Sequence, residues 1–348
     1  MAQEVIIVGA GVIGLTCALV LVENGYQVKI IADHFPSDPL SSTYTSSWAG
    51  AHFRPYPCKN ELDKEVQKFA RTTQRHFRRL AVEETSSSIR FIEGVEYFEA
   101  PQETYPNIQP GYGDEMEGFR LLSEEQLPEG VKWGTRYVTW VLNAPLYIHY
   151  LQRKLTMKYG VEFVKSNLVS LKQVFDLYQN DIVVNATGRG LQYNGGYDPK
   201  GFVIRGQTLL VSPPRDCPYW NKTVTHQSKD GKWTFVIPRP LYGGIILGGT
   251  KQVNDLHPFP RSEDSDDLKE RARRLYPELF INGELDIKMT NVGFRPAREG
   301  GILVAKEKVG KDNIIHAYGA AGSGYEISYG VGIKVCELIK NISKPSKL

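Results

Sequence analysis

The sequence predicts an α/β protein whose parallel-sheet domain is discontinuous, interrupted by a second, α+β domain. Three observations predict it. A strand-like run, Val5 to Val8, leads directly into Gly9-Ala10-Gly11-Val12-Ile13-Gly14 and an apolar stretch through Leu21, the strand, turn and helix of a βαβ unit. Much further along, another buried run from Asp181 ends in Asn185-Ala186-Thr187-Gly188, so a strand returns to the first sheet after a long excursion. The 348 residues include 41% apolar side chains, enough for two joined cores, and 33 Gly with 20 Pro exceed what a helical bundle needs.

Each element follows in chain order. In the opening motif, Gly9 permits a tight turn, Gly11 lets backbone approach a pyrophosphate, and Gly14 lets helix pack on strand, with the helix N-terminus aimed at phosphate. A second strand, Gln27 to Ala32, ends at Asp33, the carboxylate position that hydrogen-bonds an adenosine ribose. These features predict a dinucleotide without separating NAD from FAD. Leu62 to Leu80 carries aromatic and aliphatic residues at helical spacing with Lys and Arg between, which predicts an amphipathic helix with a solvated face. Tyr147 to Lys158 predicts a helix, and Val161 to Val164 a short strand before the returning run. The expected division is 1–50, 145–204 and 290–348 for the nucleotide domain and 51–144 with 205–289 for the second.

Several classes are excluded. Lys plus Arg is 42 against 39 for Asp plus Glu, too small an excess for a nucleic-acid face. The four cysteines, Cys17, Cys58, Cys217 and Cys336, contain no CxxC pair, so neither a zinc signature nor a disulfide framework is expected, and a reducing compartment is. Val5 to Val22 is almost wholly apolar, yet its glycines and the absence of a basic region before it argue for a buried strand and helix rather than a membrane span or signal peptide. Ser346-Lys347-Leu348 reads as a peroxisomal address, which predicts an import receptor as partner and the peroxisomal matrix as location.

Near the other end, Asn291-Val-Gly-Phe-Arg-Pro-Ala-Arg298 precedes Ile314-Ile-His-Ala-Tyr-Gly-Ala-Ala-Gly-Ser-Gly324 and then Gly330. With Trp48-Ala-Gly-Ala51, Arg205-Gly-Gln207, Ile237-Pro-Arg-Pro240 and Leu247-Gly-Gly-Thr250, these segments resemble the D-amino-acid oxidase family, including its D-aspartate oxidase branch, over essentially the whole chain. The segment departs at Gly332, where the family usually has Ala, a departure that touches helix packing. The resemblance implies a glutathione-reductase-like, Rossmann-type FAD domain and a substrate domain on a mixed sheet. It also implies FAD as cofactor, and a D-amino acid and dioxygen as small-molecule partners. Hydride would pass from the substrate Cα to flavin N5, giving a 2-oxo acid, ammonia and hydrogen peroxide. No protein general base is required, because the cofactor carries the electron chemistry. An NAD-dependent dehydrogenase shares only the first glycine motif, and a non-catalytic nucleotide module remains open at this point.

Residue by residue, Arg295 resembles the arginine that clamps the substrate α-carboxylate, a task suited to a bidentate guanidinium. Gly319, Ala321, Gly322, Ser323, Gly324 and Tyr325 resemble the loop that brings backbone to the flavin ring, with a carbonyl near Gly322 toward the substrate amine. Tyr44, Thr45, Gly50 and Ala51 are expected beside the flavin, Val164 beside adenine through its backbone, and Gly188 after the returning strand. Three departures concern the substrate side chain. His52 stands where yeast D-amino-acid oxidases carry Asn and resembles a His of fungal D-aspartate oxidases. Lys251 and Phe235 stand where active-site tyrosines are usual. Two potential cations, with Arg54 as a third, predict a substrate with a second carboxylate, D-aspartate first and D-glutamate second. Neutral D-amino acids are the alternative.

Overall fold

The computed structural model describes residues 3–102, 105, 112–113, 115–178, 180 and 182–342; the terminal tripeptide Ser346 to Leu348 lies outside them. The chain opens β1 (Glu4–Val8), α1 (Val12–Glu23), β2 (Gln27–Ala32) and α2 (Glu61–Glu83). It continues with β3 (Arg90–Phe98), β4 (Arg120–Leu121), β5 (Trp133–Val141), α3 (Ala144–Tyr159), β6 (Glu162–Lys165), α4 (Lys172–Tyr178) and β7 (Ile182–Asn185). Then come β8 (Gly201–Val211), β9 (Lys222–Gln227), β10 (Trp233–Pro238), β11 (Ile245–Gly248), β12 (Gln252–Val253) and α5 (Ser262–Leu275). The last elements are β13 (Ile287–Arg298), β14 (Leu303–Val309), β15 (Asp312–Tyr318) and α6 (Gly324–Lys340).

Two sheets result. The first has the order β14-β15-β7-β1-β2-β6, with β15, β7, β1, β2 and β6 parallel and β14 antiparallel at the edge. Its central strands are buried on both faces, which is why they read as continuous apolar runs. The second has the order β12-β8-β11-β10-β9-β3-β5-β4 with β13 also on β8, and the parallel β3/β9 pairing makes it mixed. The returning strand is therefore β7, hydrogen-bonded beside β1.

The domain boundaries drawn at 204/205 and 289/290 fall inside strands. β13 pairs with β8 along nearly its full length, Arg298 opposite Gly201, so both whole strands belong to the second sheet. A ladder is a cooperative unit that carries past any change in composition, and neither edge was visible in one sequence.

Residues Val12 to Leu21 of α1 are buried without exception, because α1 is covered by the sheet on one side and by α6 and α3 on others. Glycine sets the closest approaches. A Cβ at Gly330 would lie 2.4 Å from Phe69 Cα of α2, and one at Gly332 would lie 2.9 Å from Val20 Cγ2 of α1. The departure at Gly332 thus does act on helix packing. α2 buries Phe69, Phe77 and Leu80 while Arg75 and Arg78 pair with Glu115 and Glu117 at the surface, the amphipathic helix expected. No helix among the described residues is long and apolar enough to cross a membrane.

Candidate active site

A cavity of about 660 Å³ runs from the ends of β1 and β2 to the face of the second sheet, and a second chamber of about 450 Å³ opens from it. His52, Phe235, Gly322 and Glu326 line both.

At the nucleotide end, the β1–α1 turn is built by glycine. Gly9 has φ +108°, and a Cβ there would sit 2.4 Å from the Ala186 carbonyl oxygen on the strand end beside it. A Cβ at Gly14 would lie 2.0 Å from the Gly9 carbonyl oxygen, so only glycine allows this helix to start so close to its turn. Gly9, Ala10, Gly11, Val12, Ile13, Asp33 and Gly188 all line the cavity. Asp33 is exposed at the end of β2, its carboxylate 3.2 Å from His34. The Val12 amide, one of the orphan donors of α1, donates to Ser46 Oγ at 3.0 Å.

The segment 44–51 forms the next stretch of wall. Tyr44 donates to the Ala10 carbonyl at 2.7 Å, Thr45 to the Phe294 carbonyl, and the Tyr325 hydroxyl to the Ser46 carbonyl at 2.8 Å. The buried Arg239 donates to the carbonyls of Gly50 at 3.0 Å and Ala49 at 2.6 Å, and burial lowers its pKa to about 10. Sequence reading noted this arginine only as part of a strand. A buried arginine that spends its donors on the carbonyls of Ser47, Ala49 and Gly50 is a brace, and nothing local in Ile237 to Pro240 signals where it reaches.

On the opposite wall, Ala321 adopts φ +50° and donates its amide to the Pro296 carbonyl at 2.9 Å, while Gly319 adopts φ +84° and donates to the Gly188 carbonyl at 3.0 Å. Arg295 reaches into the cavity from β13. A Cβ on Gly206, diagonally across on β8, would lie 2.2 Å from Arg295 Nη1, so the glycine of Arg205-Gly-Gln207 makes room for the guanidinium. Its Nη1 donates to the Thr250 carbonyl at 3.3 Å, and no carboxylate among the described residues pairs with it. Burial alone lowers its pKa. A desolvated cation without a protein anion is arranged for an anion from outside.

In the side chamber, Arg54 is 19% exposed, stacks 3.9 Å from the centre of the Trp233 ring and meets Glu96 at 3.2 Å. Glu96 is wholly buried and also accepts from Tyr112 and, at 3.3 Å, Tyr137. Burial works against the Arg54 cation, but Glu96 and the surrounding tyrosines outweigh it, and its pKa is raised. Phe235 closes the chamber, and its ring fits because Gly248 opposite lacks the Cβ that would lie 2.3 Å away.

Two expectations are corrected. His52 lines both chambers, with Nδ1 2.8 Å from Thr223 Oγ1, but burial and then the charge of Arg54 lower its pKa to about 3, so it is a neutral imidazole and not a cation. Lys251 is exposed and lines neither chamber. Thr250 is tied to Gln207 by two hydrogen bonds, 3.1 Å from its amide and 2.7 Å to its hydroxyl, in the connection between β11 and β12, and Lys251 after it is exposed. Val164, expected to meet adenine through its backbone, pairs with Ile31 at the edge of the first sheet and packs its side chain against the core, while Ser166, Asn167 and Leu168 just beyond it line the cavity. Two residues of the site went unsuggested by the sequence, Glu326 and Glu96. Glu326 is a lone carboxylate within an apolar stretch, whereas Glu96 is one of two in β3 and nothing in the sequence sets it apart from Glu93.

The FAD dependent oxidoreductase family model, DAO, matches residues 4–338. The chain belongs to this family. A D-aspartate oxidase of Talaromyces thermophilus is 38% identical over 97% of this chain and 95% of the relative. A D-amino-acid oxidase of Schizosaccharomyces pombe is 34% identical over 95% of this chain and 94% of its own length. A crystal structure of glycine oxidase from Bacillus cereus shares the fold with TM-score 0.74 at 17% identity, covering 98% of this chain and 96% of that one. The protein is an FAD-dependent oxidase, and the cavity fits the cofactor. The glycine turn at Gly9 to Gly14 leaves backbone, not side chains, at the start of α1, and Asp33 stands one strand away to accept from ribose. The walls at 44–51 and 319–325 are braced backbone segments that would flank the ring end of a bound cofactor.

Proposed function

We propose that this oxidase acts on acidic D-amino acids, D-aspartate before D-glutamate, and converts them to the 2-oxo acid, ammonia and hydrogen peroxide. The observation that carries this reading is the pair of arginines in joined chambers: Arg295 without a protein anion in one, Arg54 against Trp233 in the other, across walls they share. Two cations so placed suit a molecule with two carboxylates. In this reading Arg295 takes the α-carboxylate by its guanidinium fork and Arg54 the distal one. Phe235 and Trp233 exclude water between them, and the neutral His52 offers a ring nitrogen to a polar side chain. The cofactor, when bound, supplies the hydride acceptor and the centre at which dioxygen is reduced. No side chain is assigned as general base. The chain's part is to hold Cα against the ring and keep the amine unprotonated. Similarity to the Talaromyces thermophilus D-aspartate oxidase supports the acidic preference.

Oxidation of neutral D-amino acids is the second reading. It is favoured by the charge of Arg54 being already matched by Glu96, and by the Schizosaccharomyces pombe relative named for D-amino acids generally. A panel of D-aspartate, D-glutamate, D-asparagine and D-alanine with peroxide detection separates the two; a higher kcat/KM for D-asparagine than for D-aspartate at pH 6.5 overturns the first. Residence in the peroxisomal matrix, through an import receptor reading Ser346-Lys347-Leu348, is proposed alongside. It suits a peroxide-forming reaction, and removing those three residues should leave activity unchanged and release the enzyme to the cytosol.

A further inference from the structure

Glu326 is an unexpected occupant of this site. It lies in the first turn of α6, two residues after the loop that ends at Gly324, and lines both chambers. No hydrogen bond reaches its carboxyl among the described residues. Burial is the main influence on it; Arg54 pulls the carboxyl toward ionisation and Glu96 pushes against that. The other titratable groups bordering it come from every surrounding element. Tyr56, on the segment after His52, and Tyr137, on β5, are each raised by its charge, and Asp63 of α2 lines the same chamber. His52 is neutral there. Arg54 is the one arginine or lysine that lines the side chamber among the described residues, with Arg71 of α2 acting on Tyr56 from beyond that lining and Arg295 on the wall of the main cavity, and Glu96 already faces Arg54. A third negative charge from the protein would leave a ligand's carboxylate with more repulsion than attraction.

We propose that Glu326 sets substrate choice by its protonation: neutral, its carboxyl donates a hydrogen bond to the distal carboxylate of an acidic substrate, and ionised, it repels that carboxylate and leaves uncharged side chains unaffected. The inference rests on the acidic reading given above and adds the residue that makes the preference conditional. Burial supports it by raising the Glu326 pKa to about 8, so that the donor form prevails at neutral pH and is lost just above it.

The test is the ratio of kcat/KM for D-aspartate to that for D-asparagine, which differ in the distal group alone, followed from pH 6.5 to 9.5 in the FAD-loaded enzyme. The native ratio should fall about tenfold per pH unit beyond pH 8, as for ionisation of one group. In Glu326→Gln, which still donates but cannot ionise, the ratio should stay within about twofold across the range; in Glu326→Ala it should be flat and low. Dividing the native profile by that of the glutamine variant removes the ionisation of the two substrate amines. A binding readout without turnover comes from the flavin spectrum with succinate against butyrate: the Kd for succinate should weaken above pH 8 in the native enzyme only. The same alkaline fall in native enzyme and Glu326→Gln overturns the proposal, as does a native ratio that is flat to pH 9.5. A native enzyme preferring D-asparagine even at pH 6.5 overturns the acidic reading itself, and this inference falls with it.

Discussion

Arg295 and Arg54 occupy two joined chambers and are held in contrasting ways. Arg295 is desolvated, meets only the Thr250 carbonyl among the described residues, and fits because Gly206 has no side chain. Arg54 is stacked on Trp233 and backed by a fully buried Glu96, itself held by Tyr112 and Tyr137. An arginine without a protein anion binds any carboxylate strongly and does not discriminate, because every amino acid brings one. An arginine already paired binds a further anion weakly, so its effect depends on what else surrounds it. The contrast separates binding from selection.

The largest effect should come from Arg295→Ala. kcat/KM for acidic and neutral D-amino acids alike should fall by the equivalent of roughly 2–5 kcal/mol, the range for loss of a buried charge partner. The yellow flavin spectrum should persist. Arg295→Lys should fail nearly as badly, since an ammonium does not reproduce the fork. Loss of flavin along with activity would instead make Arg295 part of the cofactor site.

Arg54 requires a paired change. Arg54→Met alone leaves Glu96 buried without its cation, a loss of about 3–5 kcal/mol of stability that would obscure any effect on substrate. With Glu96→Gln added, the fold should recover most of this, and the double variant should oxidise D-alanine normally while its D-aspartate to D-asparagine ratio falls by about tenfold or more. An unchanged ratio would mean that Arg54 is a structural ion pair.

The same contrast bears on what one sequence reveals. The nucleotide end was legible because Gly9, Gly11, Gly14 and Asp33 lie in one local unit whose spacing is fixed by its backbone geometry, and Arg295 because its neighbours share its strand. The side chamber is lined from residues 52–56, the first turn of α2, β9, β10 and the loop that leads into α6. Their meeting is a property of the second sheet and its packing, on which no local pattern reports. His52 was read as a cation and is neutral, because its pKa depends on burial and on Arg54, two facts of tertiary structure.

His52 therefore gives a smaller effect. With its pKa at about 3, the imidazole is already neutral throughout pH 5–9, so D-aspartate oxidation should show no loss as pH rises through 6.5. His52→Asn should hold the D-aspartate to D-asparagine ratio within a few-fold. An alkaline loss near pH 6.5 that disappears in His52→Asn would restore the cationic role expected from the sequence.

Lys251 should do least of all. Were it a partner of the distal carboxylate, its removal would weaken D-aspartate oxidation as strongly as the paired change at Arg54. It is exposed and outside both chambers, while the residue before it is fastened to Gln207. Surface substitutions away from special features ordinarily stay within about 0.5 kcal/mol, so Lys251→Ala should change kcat/KM for D-aspartate by no more than about twofold. Long-range attraction of a dicarboxylate by an exposed lysine is screened within about 10 Å at 0.1 M salt. Any small loss should therefore vanish as ionic strength rises, whereas the loss at Arg54 should persist. A salt-resistant, acid-selective loss in Lys251→Ala would show that the strand end turns inward when substrate binds, and would shift the selecting charge from Arg54 to Lys251.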